Sequence, residues 1–296
     1  MTPVTIADLL HCKRQGRKIA MLTAYDFPMA AWVDASGVEC VLVGDSLGMV
    51  VLGYQTTTMV TMEEMLHHAK AVRRGVTRAL LIGDMPQCAL EGTTQQVVAY
   101  AGRFVQEAGC NAVKVEWRPG MEEKAKAIIT AGIPTMGHVG LTPQTVGAEG
   151  FGLRGKDAAS AVRILEHALA LEEAGCCAIV IECVPDRLAA AITQRLSIPT
   201  IGIGSGPACD GQVVVTHDLL GLFDRFTPRF VTRYANLAES IRASTAAFVQ
   251  DVQAGRFPGT EQTPHMEAAE LALFEQALAR GPWWGLRQPQ PLDKGP

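Results

Sequence analysis

The stretches CVLVGDS (40–46) and ALLIGDMP (79–86) decide the fold. Each is an apolar run that ends in Gly-Asp, although aspartate is among the residues least suited to a β-strand. Five further apolar runs end in Gly, Pro or polar residues, at 19–26, 112–117, 134–140, 177–185 and 199–206. Together they predict seven buried strands of a parallel sheet.

Amphipathic helical segments separate these runs, as their apolar residues at a period near 3.6 indicate. They lie at 61–75, 93–109, 122–132 and 157–175, and each is expected to end in a left-handed glycine cap, at Gly75, Gly109, Gly132 and Gly175. The run at 213–223 is a weak eighth unit, because its apolar residues fit a strand or a helix.

Alternating strands and helices over roughly 250 residues favour one α/β domain, a single (β/α)₈ TIM barrel. A doubly wound open sheet is the alternative, and it is disfavoured because no G-x-G-x-x-G turn follows the first strand. We expect residues 1–263 to form the barrel with an N-terminal helix capped by Thr5. Residues 264–296 are expected to form a C-terminal helix and a Pro-rich tail, in which Trp283 and Trp284 either mediate association or pack back onto the barrel.

Composition excludes several function classes. Apolar residues make up 48% of the 296 residues and the net charge is −4, so a large core is expected, and neither nucleic acid nor an anionic membrane is an expected partner. The basic residues near the end of the first helix are expected to be solvated: Lys13, Arg14, Arg17 and Lys18. Eight cysteines without a C-x-x-C pair, and no signal-peptide pattern, predict free thiols and a cytoplasmic protein.

Two aspartates follow neighbouring strands of the predicted barrel at equivalent points, Asp45 and Asp84. Active sites of parallel α/β proteins form at the carboxyl ends of strands, and neighbouring strands lie about 4.8 Å apart. Two carboxylates that close repel each other unless a cation lies between them. Oxygen ligands without a Cys or His cluster favour Mg²⁺. The glycines before them, Gly44 and Gly83, are expected to let a ligand approach closely.

Further polar residues fall at the same predicted rim. Lys114 and Glu116 are two residues apart on one strand, so both point either to the lumen or to the helix layer. The lumen mouth beside the metal is favoured, because two charges that face the helix layer would be desolvated at high cost. A structural Lys–Glu pair that closes the barrel is the alternative. Glu182 lies between apolar neighbours, which makes a carboxylate more basic and suits a general base. His138 is either a ligand or a locally satisfied histidine, and Asp26 is expected to approach the rim. A metal, a lysine and a carboxylate base suit chemistry on a 2-oxo acid through its enolate.

The chain resembles the ketopantoate hydroxymethyltransferase (3-methyl-2-oxobutanoate hydroxymethyltransferase) family over about residues 3 to 262. The motifs that carry the resemblance include VLVGDSLGM, GCNAVKVE, GHVGLTPQ, AIVIECVP and IPTIGIGSGPACDGQ. The resemblance implies a barrel of the phosphoenolpyruvate mutase/isocitrate lyase type. It also implies transfer of a hydroxymethyl group from 5,10-methylenetetrahydrofolate to 3-methyl-2-oxobutanoate, giving 2-dehydropantoate for pantothenate biosynthesis.

The resemblance also implies roles for individual residues. Glu182 matches the proton acceptor of the family, and the Mg²⁺ residues would be Asp45, Asp84 and Glu116. The residues that would bind the 2-oxo acid are Asp45, Ser46, Asp84, Lys114 and, by analogy, His138. A homo-oligomer, usually a decamer in the family, is implied as well.

The segment TVGAEGFGLRGKD (145–157) departs from the family pattern, because it lacks the usual lysine and glutamine. The folate-side contacts are therefore not assigned from the sequence. A Mg²⁺-dependent lyase or mutase of the same superfamily is an alternative, although the chain has no Lys-Lys-Cys-Gly-His-type loop. A catalytically silent barrel is the other alternative, and the set of charged residues disfavours it.

Overall fold

The computed structural model describes residues 2–146, 150 and 152–280. The described chain divides into two compact units, with the division between Ala238 and Glu239. The division at 263/264 expected from the sequence stays a prediction, and Trp283 and Trp284 lie outside the described residues.

The first unit is a closed barrel in which eight parallel strands pair in sequential order, and β8 pairs with β1. This confirms the predicted TIM barrel and excludes the open sheet. The weak eighth unit contains both elements, because the end of a strand is followed by a short helix at Thr216–Leu219. The strands are β1 Ile19–Thr23, β2 Cys40–Val43, β3 Leu80–Asp84, β4 Ala112–Glu116, β5 Thr135–Gly140, β6 Ala178–Glu182, β7 Thr200–Ile203 and β8 Gly211–Val214.

Twelve α-helices occur in the described part of the chain. In order, α1 to α12 are Ile6–Arg14, Phe27–Ala35, Leu47–Val50, Met62–Gly75, Gln87–Leu90, Thr94–Gln106, Met121–Thr130, Ala158–Glu173, Asp186–Arg195, Thr216–Leu219, Leu237–Gln253 and Ala268–Arg280. The helix expected after residue 264 is α12. Among the described helices, none combines the length and apolar character that a membrane span requires.

Side chains of the strands alternate between two apolar clusters. Leu80 and Ile82 of β3 belong to the lumen cluster, whereas Leu81 packs with the outer helices. Leu9 and Cys12 of α1 also belong to the lumen cluster, so this helix covers one end of the barrel. Alternation by two residues then carries Asp84 to the lumen at the opposite end.

Three of the four predicted glycine caps have the expected backbone. Gly109, Gly132 and Gly175 have positive φ values of 66°, 85° and 101°. The left-handed cap predicted at Gly75 is wrong, since Gly75 is the last residue of α4 and Val76 is the cap. A Cβ atom at Gly75 would lie 2.6 Å from the carbonyl oxygen of Phe27, so close contact between α2 and α4 requires glycine here.

The prediction of a solvated helix end is confirmed for Arg14, Arg17 and Lys18, which are exposed, whereas Lys13 is half-buried. Lys13 Nζ lies 2.7 Å from Asp210 Oδ2, and Arg17 Nη1 lies 2.8 Å from Glu39 Oε1. Lys18 Nζ donates to the carbonyl oxygen of Pro207 at 3.1 Å. These contacts attach α1 and the segment after it to the amino-terminal end of the barrel.

Asp34, at the end of α2, connects this helix to the start of β3. Its carboxylate accepts hydrogen bonds from the backbone N–H groups of Thr77, Arg78 and Ala79, and from the Thr77 hydroxyl. Burial raises the pKa of Asp34, but these hydrogen bonds outweigh burial and hold the pKa below its usual value.

We expect Asp34→Ala to lower the free energy of unfolding by about 1–3 kcal/mol, because three backbone donors lose their acceptor. Asp34→Asn keeps one acceptor oxygen and is the matched control, with a smaller loss. Because the pKa of Asp34 is lower in the folded state, the ionised carboxylate stabilises the fold at neutral pH, and this stabilisation is lost as the pH falls through the folded-state pKa. Urea unfolding should therefore give a difference between wild type and Asp34→Asn that shrinks on acidification, and a constant difference would contradict this.

Candidate active site

Polar side chains gather at the carboxyl ends of five neighbouring strands. Asp84, Glu116 and Glu182 are the last residues of β3, β4 and β6, and Asp45 follows β2 closely. Apolar lumen residues lie directly beneath them, so most of these polar groups are buried. The structure thus brings all the residues expected at the rim from β2 to β6 to one end of the barrel: Asp45, Ser46, Asp84, Lys114, Glu116, His138 and Glu182.

Lys114 forms a buried ion pair with Asp84. The two residues are register partners on β4 and β3, and Lys114 Nζ lies 2.6 Å from Asp84 Oδ1. Their side chains are only 6% and 2% exposed. Burial lowers the pKa of Lys114, but Asp84, Glu116 and Asp45 together raise it above its ordinary value, so this lysine carries a charge inside the lumen.

His138 lies between two carboxylates. Its Nδ1 is 3.4 Å from Glu116 Oε1, and its Nε2 is 3.2 Å from Glu182 Oε2. Neither ring nitrogen has the alignment of a hydrogen bond to a described residue. Burial and Lys114 lower the pKa of His138, but the two carboxylates outweigh them and raise it to about 9. Negative and positive groups therefore alternate from Asp84 through Lys114, Glu116 and His138 to Glu182.

Asp45 lacks such a cation at close range. Its backbone N–H donates to Asp84 Oδ2 at 3.1 Å, which brings the two carboxyl groups together. Burial raises the pKa of Asp45 well above its ordinary value, and repulsion by Asp84 and Glu116 raises it further. Ser46 lies beside it, with Oγ 2.8 Å from the hydroxyl of the buried Tyr25.

Gln144 is a buried connector that the sequence did not reveal. Its Nε2 donates to Asp45 Oδ2 at 3.0 Å and to the carbonyl oxygen of Met85 at 2.9 Å. Its backbone N–H donates to Glu116 Oε2 at 3.0 Å, and its Oε1 accepts from Arg118. One residue of a 3₁₀ turn after β5 thus connects the ends of β2, β3 and β4. A polar residue directly after the GHVGLTP motif was the available signal.

Glu182 is less enclosed than its apolar neighbours in the sequence indicate. Its side chain is 18% exposed and faces His138. Cys183 follows with φ of 48°, a left-handed conformation that is uncommon outside glycine. The carbonyl oxygen of Cys183 accepts the N–H of Arg154 at 2.8 Å, so the segment after the unassigned loop is attached beside Glu182.

Two smaller expectations were wrong. Asp26 does not reach the rim, because it is exposed and caps α2 by accepting the N–H of Met29. Gly83 does not open space for a ligand, because a Cβ there would lie 2.3 Å from the ring of Phe104 on the helix side. Among the described residues, no three His, Cys, Asp or Glu side chains form a group arranged to hold a metal ion directly.

The sequence matches the family model described as ketopantoate hydroxymethyltransferase over residues 3–260. A 3-methyl-2-oxobutanoate hydroxymethyltransferase from Acetivibrio thermocellus is 52% identical over 255 residues, which is 86% of this chain and 90% of that protein. One from Syntrophus aciditrophicus is 49% identical over 261 residues, covering 88% of this chain and 96% of its own length.

Solved structures with the same fold are more distant in sequence. Phosphoenolpyruvate phosphomutase from Streptomyces platensis subsp. rosaceus has a TM-score of 0.57 at 16% identity, covering 93% of this chain and 96% of that one. A phosphonopyruvate hydrolase in complex with oxalate and Mg²⁺ has a TM-score of 0.56 at 15% identity, with coverage of 93% and 97%. At these identities the likeness concerns the fold.

Fold and site together define a (β/α)₈ barrel protein with an acidic site at the carboxyl ends of its strands. The chain belongs to the ketopantoate hydroxymethyltransferase family. It is an enzyme of the hydroxymethyltransferase class.

We expect Gln144→Ala to lower kcat/KM for hydroxymethyl transfer by about 10–100-fold, the range for residues that orient ligands of a metal site. The variant removes the donor that holds Asp45, and the melting temperature should change little by comparison. Gln106→Ala, an exposed glutamine at the end of α6, is the control and should leave the rate unchanged. A rate within about twofold of wild type for Gln144→Ala would remove Gln144 from the site.

Proposed function

We propose that the protein transfers a hydroxymethyl group from 5,10-methylenetetrahydrofolate to 3-methyl-2-oxobutanoate, giving 2-dehydropantoate, as a step of pantothenate biosynthesis. The row of alternating charges from Asp84 to Glu182 carries this proposal. Such a row supplies a fixed cation for the carboxylate of a 2-oxo acid and carboxylates for proton removal. The names of the relatives give the substrate.

The site fits a divalent cation. Four carboxylates, those of Asp45, Asp84, Glu116 and Glu182, face two cationic groups in the lumen. The pKa of Asp45 is raised by burial and by its acidic neighbours, and a bound cation would relieve this repulsion. We propose that Asp45 and Asp84 ligate Mg²⁺, and that Glu116 contributes as a further acid whose oxygens already contact Gln144, His138 and Lys114.

Mg²⁺ is favoured over transition metals because the donors are carboxylate oxygens. Two protein ligands leave positions for water and substrate, which is usual for Mg²⁺. A bound Mg²⁺ would supply a Lewis acid that stabilises negative charge on the ketone oxygen of the oxo acid.

Substrate binding is assigned to side chains around the same point. Lys114 is held by Asp84 and is charged, so it attracts the carboxylate of the oxo acid. The hydroxyl of Ser46, fixed by Tyr25, is a further hydrogen-bonding group beside Asp45. His138 completes the binding set between Glu116 and Glu182.

Glu182 is proposed as the base that removes the C3 proton of 3-methyl-2-oxobutanoate. It lies at the end of β6, and its side chain keeps some accessible surface, so a substrate can reach it. His138 Nε2 lies 3.2 Å from this carboxylate and places positive charge beside it. In the transfer, water adds to the methylene carbon of the folate, both of its carbon–nitrogen bonds (to N5 and N10) break, and the two nitrogens take up the protons of water, which releases tetrahydrofolate. C3 of the enolate then bonds to the carbon of the formaldehyde so formed, and the protonated Glu182 returns its proton to the new alkoxide.

Assembly and location belong to the same proposal. A homo-oligomer, a decamer by resemblance to the family, and a cytoplasmic location stay predictions. All eight cysteines are free thiols, which fits a reducing compartment.

Glu182→Gln should abolish metal-dependent exchange of the C3 proton of 3-methyl-2-oxobutanoate in deuterated water, because the amide cannot accept that proton. NMR follows the exchange without any folate. Glu173→Gln, an exposed glutamate at the end of α8, is the matched control and should exchange at the wild-type rate. Undiminished exchange in Glu182→Gln would assign the base to another residue.

Asp45→Asn should weaken Mg²⁺ binding by at least about tenfold, since one ionic ligand is lost. In the absence of metal the variant should melt at the same or a higher temperature than wild type, because one of the repelling carboxylates is neutral. Mg²⁺ should raise the melting temperature of wild type and of the exposed control Asp186→Asn, but not that of Asp45→Asn. An equal Mg²⁺-induced shift in all three proteins would refute the assignment.

A further inference from the structure

A cleft of about 830 Å³ opens beside the acidic site, at the carboxyl ends of β4 and β5. Its walls are Trp117–Pro119 after β4, Gly140 and Thr142 near the end of β5, the segment 153–157 and side chains of α8 from Ser160 to His167. Gly140 is the register partner of Glu182, so the inner end of the cleft adjoins the proposed base. This volume suits an organic ligand much larger than a five-carbon oxo acid.

The cleft is cationic. Four of its lining side chains are basic, Arg118, Arg154, Lys156 and Arg163, against one carboxylate, Asp157. That carboxylate already accepts the N–H and the hydroxyl of Ser160 at 2.9 and 2.6 Å. The protein as a whole has a net charge of −4, so this concentration of positive charge is local.

The basic side chains differ in how they are held. Arg118 donates to Gln144 at 3.1 Å, and its buried Nε has no hydrogen-bond partner among the described residues. Arg154 donates to the carbonyl oxygen of Gly150 at 2.8 Å. Lys156 and Arg163 line the cleft and are exposed to solvent. Guanidinium and ammonium groups in this arrangement suit carboxylates of a ligand.

The same cleft has an aromatic wall. Trp117 stacks on His167 with ring centroids 4.1 Å apart and planes 18° apart. Burial lowers the pKa of His167, so the imidazole is neutral at physiological pH. Leu153 and Ile164 add apolar surface. A flat aromatic ring of a ligand can pack against such a wall.

We propose that this cleft binds the folate co-substrate, with its aromatic rings against Trp117 and Leu153 and its glutamate carboxylates beside Lys156 and Arg163. The inference rests on the proposed function, since it takes the folate as the donor. It places the donor next to Glu182 and assigns folate contacts to the segment after residue 152, where the chain lacks the lysine and glutamine expected from its family.

The test compares wild type with the double variant Lys156→Gln/Arg163→Gln. Both side chains lie at the edge of the cleft rather than in the core, so the fold should be unaffected, and the melting temperature checks this. The matched control is Arg74→Gln, an exposed arginine on α4 outside the cleft. The probe is methylenetetrahydrofolate carrying one or three glutamates for kinetics, and tetrahydrofolate triglutamate for calorimetric binding.

We expect the double variant to raise KM for the triglutamate donor by about tenfold or more, equivalent to about 1.4 kcal/mol, with kcat nearly unchanged. The advantage of the triglutamate over the monoglutamate donor should disappear, and calorimetry should show the same loss of affinity. C3 proton exchange of the oxo acid without folate should stay at the wild-type rate.

The outcomes separate the two proposals. If wild type neither exchanges the C3 proton nor transfers the hydroxymethyl group, the proposed function fails. If wild type does both, but the double variant keeps the wild-type KM and folate affinity, as Arg74→Gln does, the folate cleft is overturned. In that case the proposal that the cleft binds folate is refuted even if Lys156 and Arg163 bind another anion, such as phosphate.

Discussion

The buried ion pair between Lys114 and Asp84 is the constraint on which the site depends. Both charges are buried directly above the apolar layer of the lumen, where a charge without a partner would be very costly. Removal of one partner of such a pair costs about 3–5 kcal/mol, because the other charge remains buried. Glu116 extends the pair by placing a negative charge 4.0 Å from Lys114. His138 then lies 3.4 Å from Glu116 and adds a positive charge.

This row of charges fixes the site at the carboxyl ends of the strands. It leaves one carboxylate, that of Asp45, without a cationic partner in the row. Along β4, alternation brings Lys114 and Glu116 to the lumen while Val113 and Val115 pack with the helices. Asp45, on the neighbouring strand end, has only Gln144 and no adjacent cation among the described residues. Burial and acidic neighbours raise the pKa of both Asp45 and Asp84, so negative charge is disfavoured at these two residues without a ligand. A cation bound between them would remove this repulsion.

Much of this arrangement could be predicted from the sequence. Seven apolar runs predicted seven strands, and the positions of Lys114, Glu116 and Glu182 at the carboxyl ends of parallel strands predicted that they share one end of the barrel. The roles predicted for the repeated Gly-Asp motif are correct only in part. Asp84 faces the lumen as expected, but Gly83 makes room for Phe104 in the helix layer.

Residues outside the strands could not be predicted in the same way. Gln144 reaches Asp45 from a turn nearly a hundred positions later in the chain, and no periodicity encodes such a contact. The ion pairs of Lys13 and Arg17 likewise depend on how α1 covers the barrel. Local pattern fixes the face of a side chain, whereas its distant neighbours depend on closure of the barrel.

The central claim is that Asp45 and Asp84 share one divalent ion at the mouth of the barrel. Crystals soaked with Mn²⁺ and 3-methyl-2-oxobutanoate, measured near the manganese absorption edge, test it directly. The account predicts one anomalous peak at about 2.0–2.2 Å from an oxygen of each carboxylate, the range for small oxygen-bound cations. A fully occupied manganese peak elsewhere, with none between these two side chains, would contradict it.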